Sequence, residues 1–358
     1  MAEALRIALL ELGPPGLRVA IDDPLQRGAR PHAGLVLRGY GPVVRSAPGL
    51  WGLLFSTFAR PAARGALESF LLSGLGQAME RTTAARRPRV VVNCHPLLGP
   101  AAARSALALR PAPKLVTMIT DLTVVHPGWL SPRDAHFMTP SAVATRWCLD
   151  QGIQPDRVVE VGLPVDAGLL TGPQPGETRA GPRRDLGLAP GPPCLLLGGG
   201  GEGAGRLLPL VTALDGSGLE VQAVVLCGRN RRLLSSLRRR RWRIPLVALP
   251  YLEDPSPWLL ASDIYIGKAG PSALAEAAAS GLAMVVTDAL PGQELANRQL
   301  LVESGAALSA DSPGELVRLL GELCAGGGAR LLEMQRRAVA WSRPGASALA
   351  AATVLKWL

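Results

Sequence analysis

Cysteine is scarce and unpatterned in this chain. The five residues, Cys94, Cys148, Cys194, Cys227 and Cys324, are odd in number and show no CxxC spacing. That excludes a zinc site built on paired thiolates and a disulfide framework, and it fits a reducing, cytosolic compartment. The N-terminus lacks the basic-then-apolar pattern of a secretory signal. No charge-free apolar run reaches the roughly 18 residues that a transmembrane helix needs. No Gly-Lys-Ser/Thr triplet occurs, so a Walker phosphate loop is excluded as well. Lysine stands only at Lys114, Lys268 and Lys356, which makes Lys268 conspicuous inside the stretch "YIGKAGPSALAEAAASGLAMVVTDALPGQELAN".

What is present points to a layered α/β protein. At 358 residues and 48% hydrophobic content, two domains of ordinary size can each bury a core. Strand-like runs at Leu17–Ile21, Val90–Asn93, Leu115–Thr120, Val158–Val161, Cys194–Leu197, Val221–Leu226, Ile244–Ala248, Ile264–Ile266 and Met284–Thr287 alternate with helical stretches. This alternation predicts parallel sheets with crossover helices. Residues 166–193 are rich in proline and glycine, which predicts a linker between a domain at 1–165 and one at 194–340, with a terminal helix in 341–358. The opening "MAEALRIALLELG" reads as a helix with Leu5, Ala8, Leu9 and Leu12 on one face. A doubly wound domain ordinarily opens on a strand. Its first strand is therefore expected to be absent here, leaving an unpaired sheet edge and an exposed apolar helix face.

The second half carries phosphate-binding chemistry. In "CLLLGGGGEGAG", a strand runs into a glycine cluster and a helix, so the backbone can approach an anion closely at Gly199 and Gly200. A flexible turn explains that cluster equally well. In the lysine-bearing stretch, Gly270 makes a turn, Pro271 suits the first helical position and Ser272 adds a hydroxyl beside free backbone N–H groups. Glu276 follows one turn later, where a carboxylate can take both hydroxyls of a ribose. Gln293 and Glu294 follow a Pro-Gly turn at a strand's C-terminal edge, where α/β proteins bind ligands.

The phrases "LLLGGGGEGAG", "VVLCGRN", "ASDIYIGKAGPSALAEA" and "LPGQELAN" resemble, in order and spacing, the donor domain of glycosyltransferase family 28. The closer similarity is to its lipid branch, the monogalactosyldiacylglycerol synthases and processive diacylglycerol glucosyltransferases. The resemblance implies a GT-B fold of two Rossmann-like domains facing a cleft. It implies transfer of a hexose from a UDP-sugar to a membrane lipid such as diacylglycerol, with inversion and with no cofactor or metal. The enzyme would sit on the inner, cytoplasmic face of a membrane as a peripheral protein. Carried over, Gly270, Pro271 and Ser272 face the diphosphate, Glu276 the ribose, and Gln293 and Glu294 the sugar. Gly228, Arg229 and Asn230 line the uridine side, and Gly199, Gly200 and Lys268 complete the donor set. Where the family usually reads Gly-Pro-Gly-Thr, this chain reads Gly270-Pro271-Ser272-Ala273.

In the first half, "VVVNCHPLLG" and "VTMITDLTVVHPGWL" resemble the same family and place His95, Asp121 and His126 at strand ends as candidate catalytic groups. The alternative is that His95 beside Pro96 and His126 beside Pro127 anchor their loops. Relatives carry a strand and a Gly-Gly-Gly-His loop ahead of the helix that starts here at Met1, and that histidine is regarded as their base. The resemblance therefore implies slow or absent transfer by the chain as it begins here. It leaves a relative that only binds UDP-sugar or membrane, or transfer to another lipid-linked cell-wall acceptor, as alternatives.

The net charge of +10 calls for a polyanionic neighbour. Between Arg45 and Arg60 lies a charge-free run with Trp51, Phe55 and Phe58, suited to an anionic membrane surface or to a buried helix. "RNRRLLSSLRRRRWR" (229–243) lacks a recognition motif and an aromatic platform, so it reads as a solvated basic face and no nucleic-acid partner is expected.

Overall fold

The protein is seen in a computed structural model that describes residues 1–24, 39, 41–45, 47, 49–50, 52–53, 57, 73–292 and 294–358. Trp51, Phe55, Phe58 and Gln293 lie outside the described residues. The chain divides into two compact units. Met1–Val43, Gly49–Asp166 and Gly345–Leu358 form the first, and Val44–Pro48 with Ala167–Pro344 form the second.

The first unit holds α1 (Ala2–Leu12), α2 (Ser73–Arg86), β1 (Val90–Asn93), α3 (Gly99–Leu107), β2 (Lys114–Met118), β3 (His136–Thr139), α4 (Ala142–Asp150) and β4 (Val158–Glu160). Its described strands form one parallel sheet in the order β1-β2-β3-β4. The short strand β3 escapes the sequence pattern, yet it alternates as a strand should. Phe137 enters the core beside Trp129 and Cys148, and Met138 enters the opposite one beside Leu5 and Val116. The run Leu17–Ile21, predicted as a strand, has no ladder partner among the described residues. Leu17 and Val19 instead pack at the edge of the core that α1 covers.

The second unit holds α5 (Ala167–Leu170), α6 (Ala180–Asp185), β5 (Cys194–Gly198), α7 (Leu207–Asp215), β6 (Gln222–Leu226), α8 (Arg231–Arg239), β7 (Leu246–Leu249), α9 (Ser256–Ala261), β8 (Ile264–Lys268), α10 (Pro271–Ala279), β9 (Ala283–Asp288), α11 (Leu295–Glu303), β10 (Ala307–Ser309), α12 (Pro313–Cys324) and α13 (Ala329–Trp341). Its strands run parallel in the order β10-β9-β8-β5-β6-β7. This is the doubly wound arrangement, in which the first strand sits at the centre and successive crossovers leave it in opposite directions. Strands buried on both faces read as continuous apolar runs. Leu195, Leu196 and Leu197 of β5 and Met284, Val285 and Val286 of β9 are all fully buried.

The last helix, α14 (Ala346–Leu355), returns to the first unit. Its Ala350, Ala351 and Val354 cover Leu5, Ala8 and Leu9 of α1, which are buried, while Leu12 stays exposed. The apolar face of α1 is therefore not exposed as the sequence suggested. A partner from the far end of the chain closes it. Val165 is fixed to the same helix, since Ser347 Oγ accepts its N–H at 3.1 Å and donates to its carbonyl at 2.6 Å.

Residues 171–193 look like a solvated linker in sequence, but they are held to the second unit by two buried arginines. Arg179 donates to the carbonyls of Leu260 and Ser280 at 2.8 Å each. Arg183 donates to the Ala261 carbonyl at 2.9 Å and pairs with Asp263. Asp263 also accepts from the Cys194 N–H at 2.7 Å, which ties this segment to the start of the central strand. Removing one partner of such a buried cluster leaves uncompensated charge. Asp263→Ala should destabilise the second unit by about 3 kcal/mol or more, measured by urea unfolding. A loss within the experimental error of the wild type would contradict this account.

Candidate functional site

The doubly wound order has a switch point between β5 and β8, and ligands of such sheets bind outside the strand C-termini at that point. A cavity of about 280 Å³ lies there. Its walls come from four successive strand ends: Gly198, Gly200 and Gly201 after β5, Gly228 after β6, Tyr251 after β7, and Ser272, Ala273 and Glu276 on α10 after β8.

Close backbone approach shapes this cavity. A Cβ at Gly199 would meet the Ala204 carbonyl oxygen at 1.9 Å, and one at Gly203 would meet the Cys227 carbonyl oxygen at 1.9 Å. A Cβ at Gly228, where φ is +53°, would lie 2.5 Å from the Gly201 carbonyl oxygen. The two loops are stitched by Arg229 N–H to Gly201 O (2.9 Å) and by Asn230 Nδ2 to Gly203 O (3.0 Å). Asn230 Oδ1 also accepts from Leu233 N–H at 3.0 Å, capping α8. Gly199 thus tightens its own loop and Gly203 and Asn230 hold the two loops together, whereas Gly200 and Gly228 line the cavity. The glycine cluster is a built close contact and not a loose turn.

Helix α10 brings its N-terminus to the same place. Gly270 is its N-cap, Pro271 its first residue, and no side chain caps it. The early N–H groups of a helix have no intrahelical acceptor, and those of Ser272 and Ala273 belong to cavity-lining residues. Glu276 lines the cavity one turn further on. Tyr265 crosses beneath, its hydroxyl donating to the Gly198 carbonyl at 3.3 Å. Burial, reinforced by the Glu294 and Glu276 carboxylates, pushes the Tyr265 phenol well above its usual range, so it stays protonated.

Two members of the expected donor set pair with each other. Lys268, at the end of β8, forms an ion pair with Glu294, and Glu294 Oε2 accepts from Leu290 N–H at 3.0 Å. Glu294 is buried, and its second oxygen pins the Pro-Gly turn that precedes it. Arg229 lies over the Tyr251 ring at 4.1 Å and reaches Glu202 at 3.4 Å, and Glu202 also pairs with Arg45 at 2.6 Å. Tyr251, Tyr265 and Ala273 line the cavity without having been singled out in the sequence. For Tyr251 the signal was its place in the irregular loop "ALPYLEDPSPWL".

His95, Asp121 and His126 all belong to the first unit, after β1 and β2. His95 Nδ1 accepts from Leu97 N–H at 3.2 Å, and His126 Nδ1 accepts from Gly128 N–H at 3.1 Å. Each His-Pro pair therefore makes the same turn, with the ring fastened to the backbone two residues on. A neutral imidazole that accepts at Nδ1 carries its proton on Nε2. Burial also holds His95 below its ordinary pKa range, against a smaller upward pull from Asp23. Asp121 Oδ2 accepts from His126 N–H at 3.1 Å and from Trp129 Nε1 at 2.8 Å, so this carboxylate organises the loop that carries His126. Among the described residues no cluster of histidine, cysteine, aspartate and glutamate is arranged to hold a metal ion. No described helix is long and apolar enough to cross a membrane.

Comparison with known proteins agrees with this architecture. Residues 1–165 match the family model "Monogalactosyldiacylglycerol (MGDG) synthase". A probable monogalactosyldiacylglycerol synthase 3, chloroplastic, of Oryza sativa subsp. japonica is 31% identical over 310 residues, covering 82% of this chain and 59% of the relative. A probable monogalactosyldiacylglycerol synthase, chloroplastic, of Glycine max is 29% identical over 321 residues, covering 86% and 59%. The chain thus spans little more than half the length of these curated relatives. Among solved structures, MurG of Acinetobacter baumannii superposes with a TM-score of 0.54 at 19% identity, covering 79% of this chain and 77% of that one. HepE of Anabaena, in complex with UDP-glucose, superposes with a TM-score of 0.55 at 15% identity, covering 84% and 90%. These two share the GT-B glycosyltransferase fold. In sequence the chain is thus similar to monogalactosyldiacylglycerol synthases, and its fold is that of the GT-B glycosyltransferases.

Proposed function

We propose that this protein transfers a hexose from a UDP-sugar to a membrane lipid such as diacylglycerol, with inversion at the anomeric carbon. The observation that carries the reading is the cavity at the β5–β8 switch point, where an uncapped helix N-terminus and one carboxylate, Glu276, face two glycine loops. The support from relatives is that HepE, of the same fold, holds UDP-glucose, and that the curated relatives are named for a glycolipid product. In this reading the α10 N-terminus takes the diphosphate, whose charge grows as the sugar leaves. Glu276 accepts from both ribose hydroxyls. Gly228, Arg229 and Tyr251 flank the uracil, and Lys268 with Glu294 and Gln293 meets the sugar. No cofactor takes part.

The reaction is a displacement. A lipid hydroxyl oxygen bonds to the anomeric carbon on the face opposite the diphosphate, the bond from that carbon to the phosphate oxygen breaks, and UDP departs with the electron pair. As the new bond forms, the lipid hydroxyl proton passes to a base, for which His95, Asp121 and His126 of the first unit are the candidates. Of these, His95 and His126 engage Nδ1 with the backbone, which suits them to hydrogen-bond donation through Nε2 more than to proton abstraction. That geometry favours the second reading, a relative that binds UDP-sugar at a membrane and turns over slowly. Either way the protein acts as a peripheral protein of a cytoplasmic membrane face.

Calorimetry tests the donor site. Glu276→Ala removes two hydrogen bonds to a charged acceptor, each worth about 1.5–3 kcal/mol, so UDP affinity should fall at least about tenfold. Equal affinity would remove Glu276 from the site. Gly228→Ala places a methyl group against the Gly201 carbonyl at positive φ and should also weaken UDP binding, whereas Gly191→Ala, with open space around it, should not. Activity is read as glycolipid formed from UDP-glucose or UDP-galactose in diacylglycerol vesicles. The transferase reading expects a product of inverted anomeric configuration. UDP binding without product for either donor would establish the binding-only reading instead.

A further inference from the structure

The positive charge of this protein is concentrated in one place that, Arg229 apart, the proposed donor site does not use. Residues 229–243 contain eight arginines and no acid, in a chain whose whole net charge is +10. The segment comprises α8 and the loop that follows it. Leu233 and Leu237 bury one side of the helix. At 100° per residue, Arg231, Arg232, Arg238 and Arg239 then fall within an arc of about 120° on the opposite side.

Three of the eight arginines have internal work. Arg229 lies over Tyr251, Arg238 donates to the Ala248 carbonyl at 3.2 Å, and Arg240 lies over Trp242 at 4.5 Å. The other five, Arg231, Arg232, Arg239, Arg241 and Arg243, are exposed, and their guanidinium groups meet no carboxylate among the described residues. Their placement is unfavourable to the fold. Arg231 and Arg232 occupy the first turn of α8, where the helix dipole disfavours cations, and no acid offsets them there. Like charges so close also repel one another. These five exposed arginines, with no carboxylate partner among the described residues, contribute nothing that the isolated unit needs.

We propose that this arginine surface docks the donor-binding unit on a bilayer rich in anionic phospholipid. The inference rests on the reading that the acceptor is a membrane lipid, and it assigns the surface that meets the membrane. Charge complementarity selects the occupant, since basic residues near an anionic leaflet each add to binding. Nucleic acid fits less well because single strands need open aromatic faces for stacking. Here Trp242 lies under the Arg240 guanidinium with its Nε1 committed to the Leu237 carbonyl at 2.9 Å, and Arg229 takes one face of Tyr251.

The test uses the full chain and vesicles without diacylglycerol or donor, so that turnover plays no part. Sedimentation is compared for phosphatidylcholine vesicles and for vesicles with about a third phosphatidylglycerol, at about 0.1 M and 0.5 M salt. Wild type should bind the anionic vesicles only, and less at high salt. A variant carrying Arg231→Gln, Arg232→Gln, Arg239→Gln, Arg241→Gln and Arg243→Gln should lose at least about tenfold in partitioning, while the matching Arg→Lys set stays close to wild type. UDP affinity, measured alongside, should be the same in all three, which separates this proposal from the donor-site reading. If the fivefold variant does not fold, Arg231→Glu and Arg241→Glu alone should each lower partitioning. Undiminished binding by these variants, absent binding by wild type, or tighter binding to duplex DNA than to anionic vesicles would each overturn the proposal.

Discussion

The cavity of the second unit exists because two backbone loops approach more closely than any side chain permits. The Gly199–Gly205 turn and the Cys227–Asn230 turn are joined through their own amides, and at Gly199, Gly203 and Gly228 a Cβ would fall within 2.5 Å of a carbonyl oxygen. The same constraint governs the strands below. A Cβ at Gly267 would lie 2.2 Å from the Gly198 carbonyl, in the space through which Tyr265 reaches that oxygen. Since β5 and β8 send their crossovers in opposite directions, the sheet leaves a gap between them. The compact glycine loops keep that gap open to the N-terminus of α10.

Charge is distributed differently inside and outside this frame. Within it, Glu294 would be an uncompensated buried carboxylate beside any anionic ligand. Lys268 neutralises it, and Leu290 N–H takes its second oxygen. Outside, the arginines of α8 stand exposed and without acidic partners among the described residues. A buried pair contributes a fixed local geometry, whereas an exposed cluster of one sign acts at longer range and is weakened by salt.

In the first unit, histidine serves the loops before it serves any chemistry. His95 and His126 repeat one device, a ring nitrogen that accepts from the amide two residues beyond a His-Pro pair. Asp121 adds the indole of Trp129 and the His126 amide to that arrangement. The loop ends after β1 and β2 are thus held rigidly. The two imidazoles present Nε2 as the protonated nitrogen, a polarity that sequence spacing does not reveal.

Much of this protein is written in local pattern. Continuous apolar runs marked five of the six strands of the second unit, because strands buried on both faces leave continuous hydrophobic stretches. Gly270-Pro271 marked the start of α10 because proline suits a first turn that needs no N–H. The family could likewise be read from ordered motifs, since their glycines and carboxylates are fixed by backbone geometry. What depended on partners distant in sequence could not be read. Strand β3 is four residues long and is recognisable only from its neighbours in the sheet. Leu17–Ile21 reads like a strand but has no ladder partner among the described residues. Residues 171–193 look like a linker until Arg179 and Arg183 meet carbonyls and Asp263, about 80 to 100 positions away. Leu5 and Leu9 seemed exposed until α14 returned to cover them. The sequence by itself determined most of the strands, where the backbone turns and which family the chain resembles, because those follow from neighbours along the chain. Only the tertiary structure decided that Lys268 neutralises Glu294, that His95 and His126 are tied by Nδ1 and that the arginines of α8 meet no carboxylate among the described residues, because each of these is set by the space the fold leaves around a side chain.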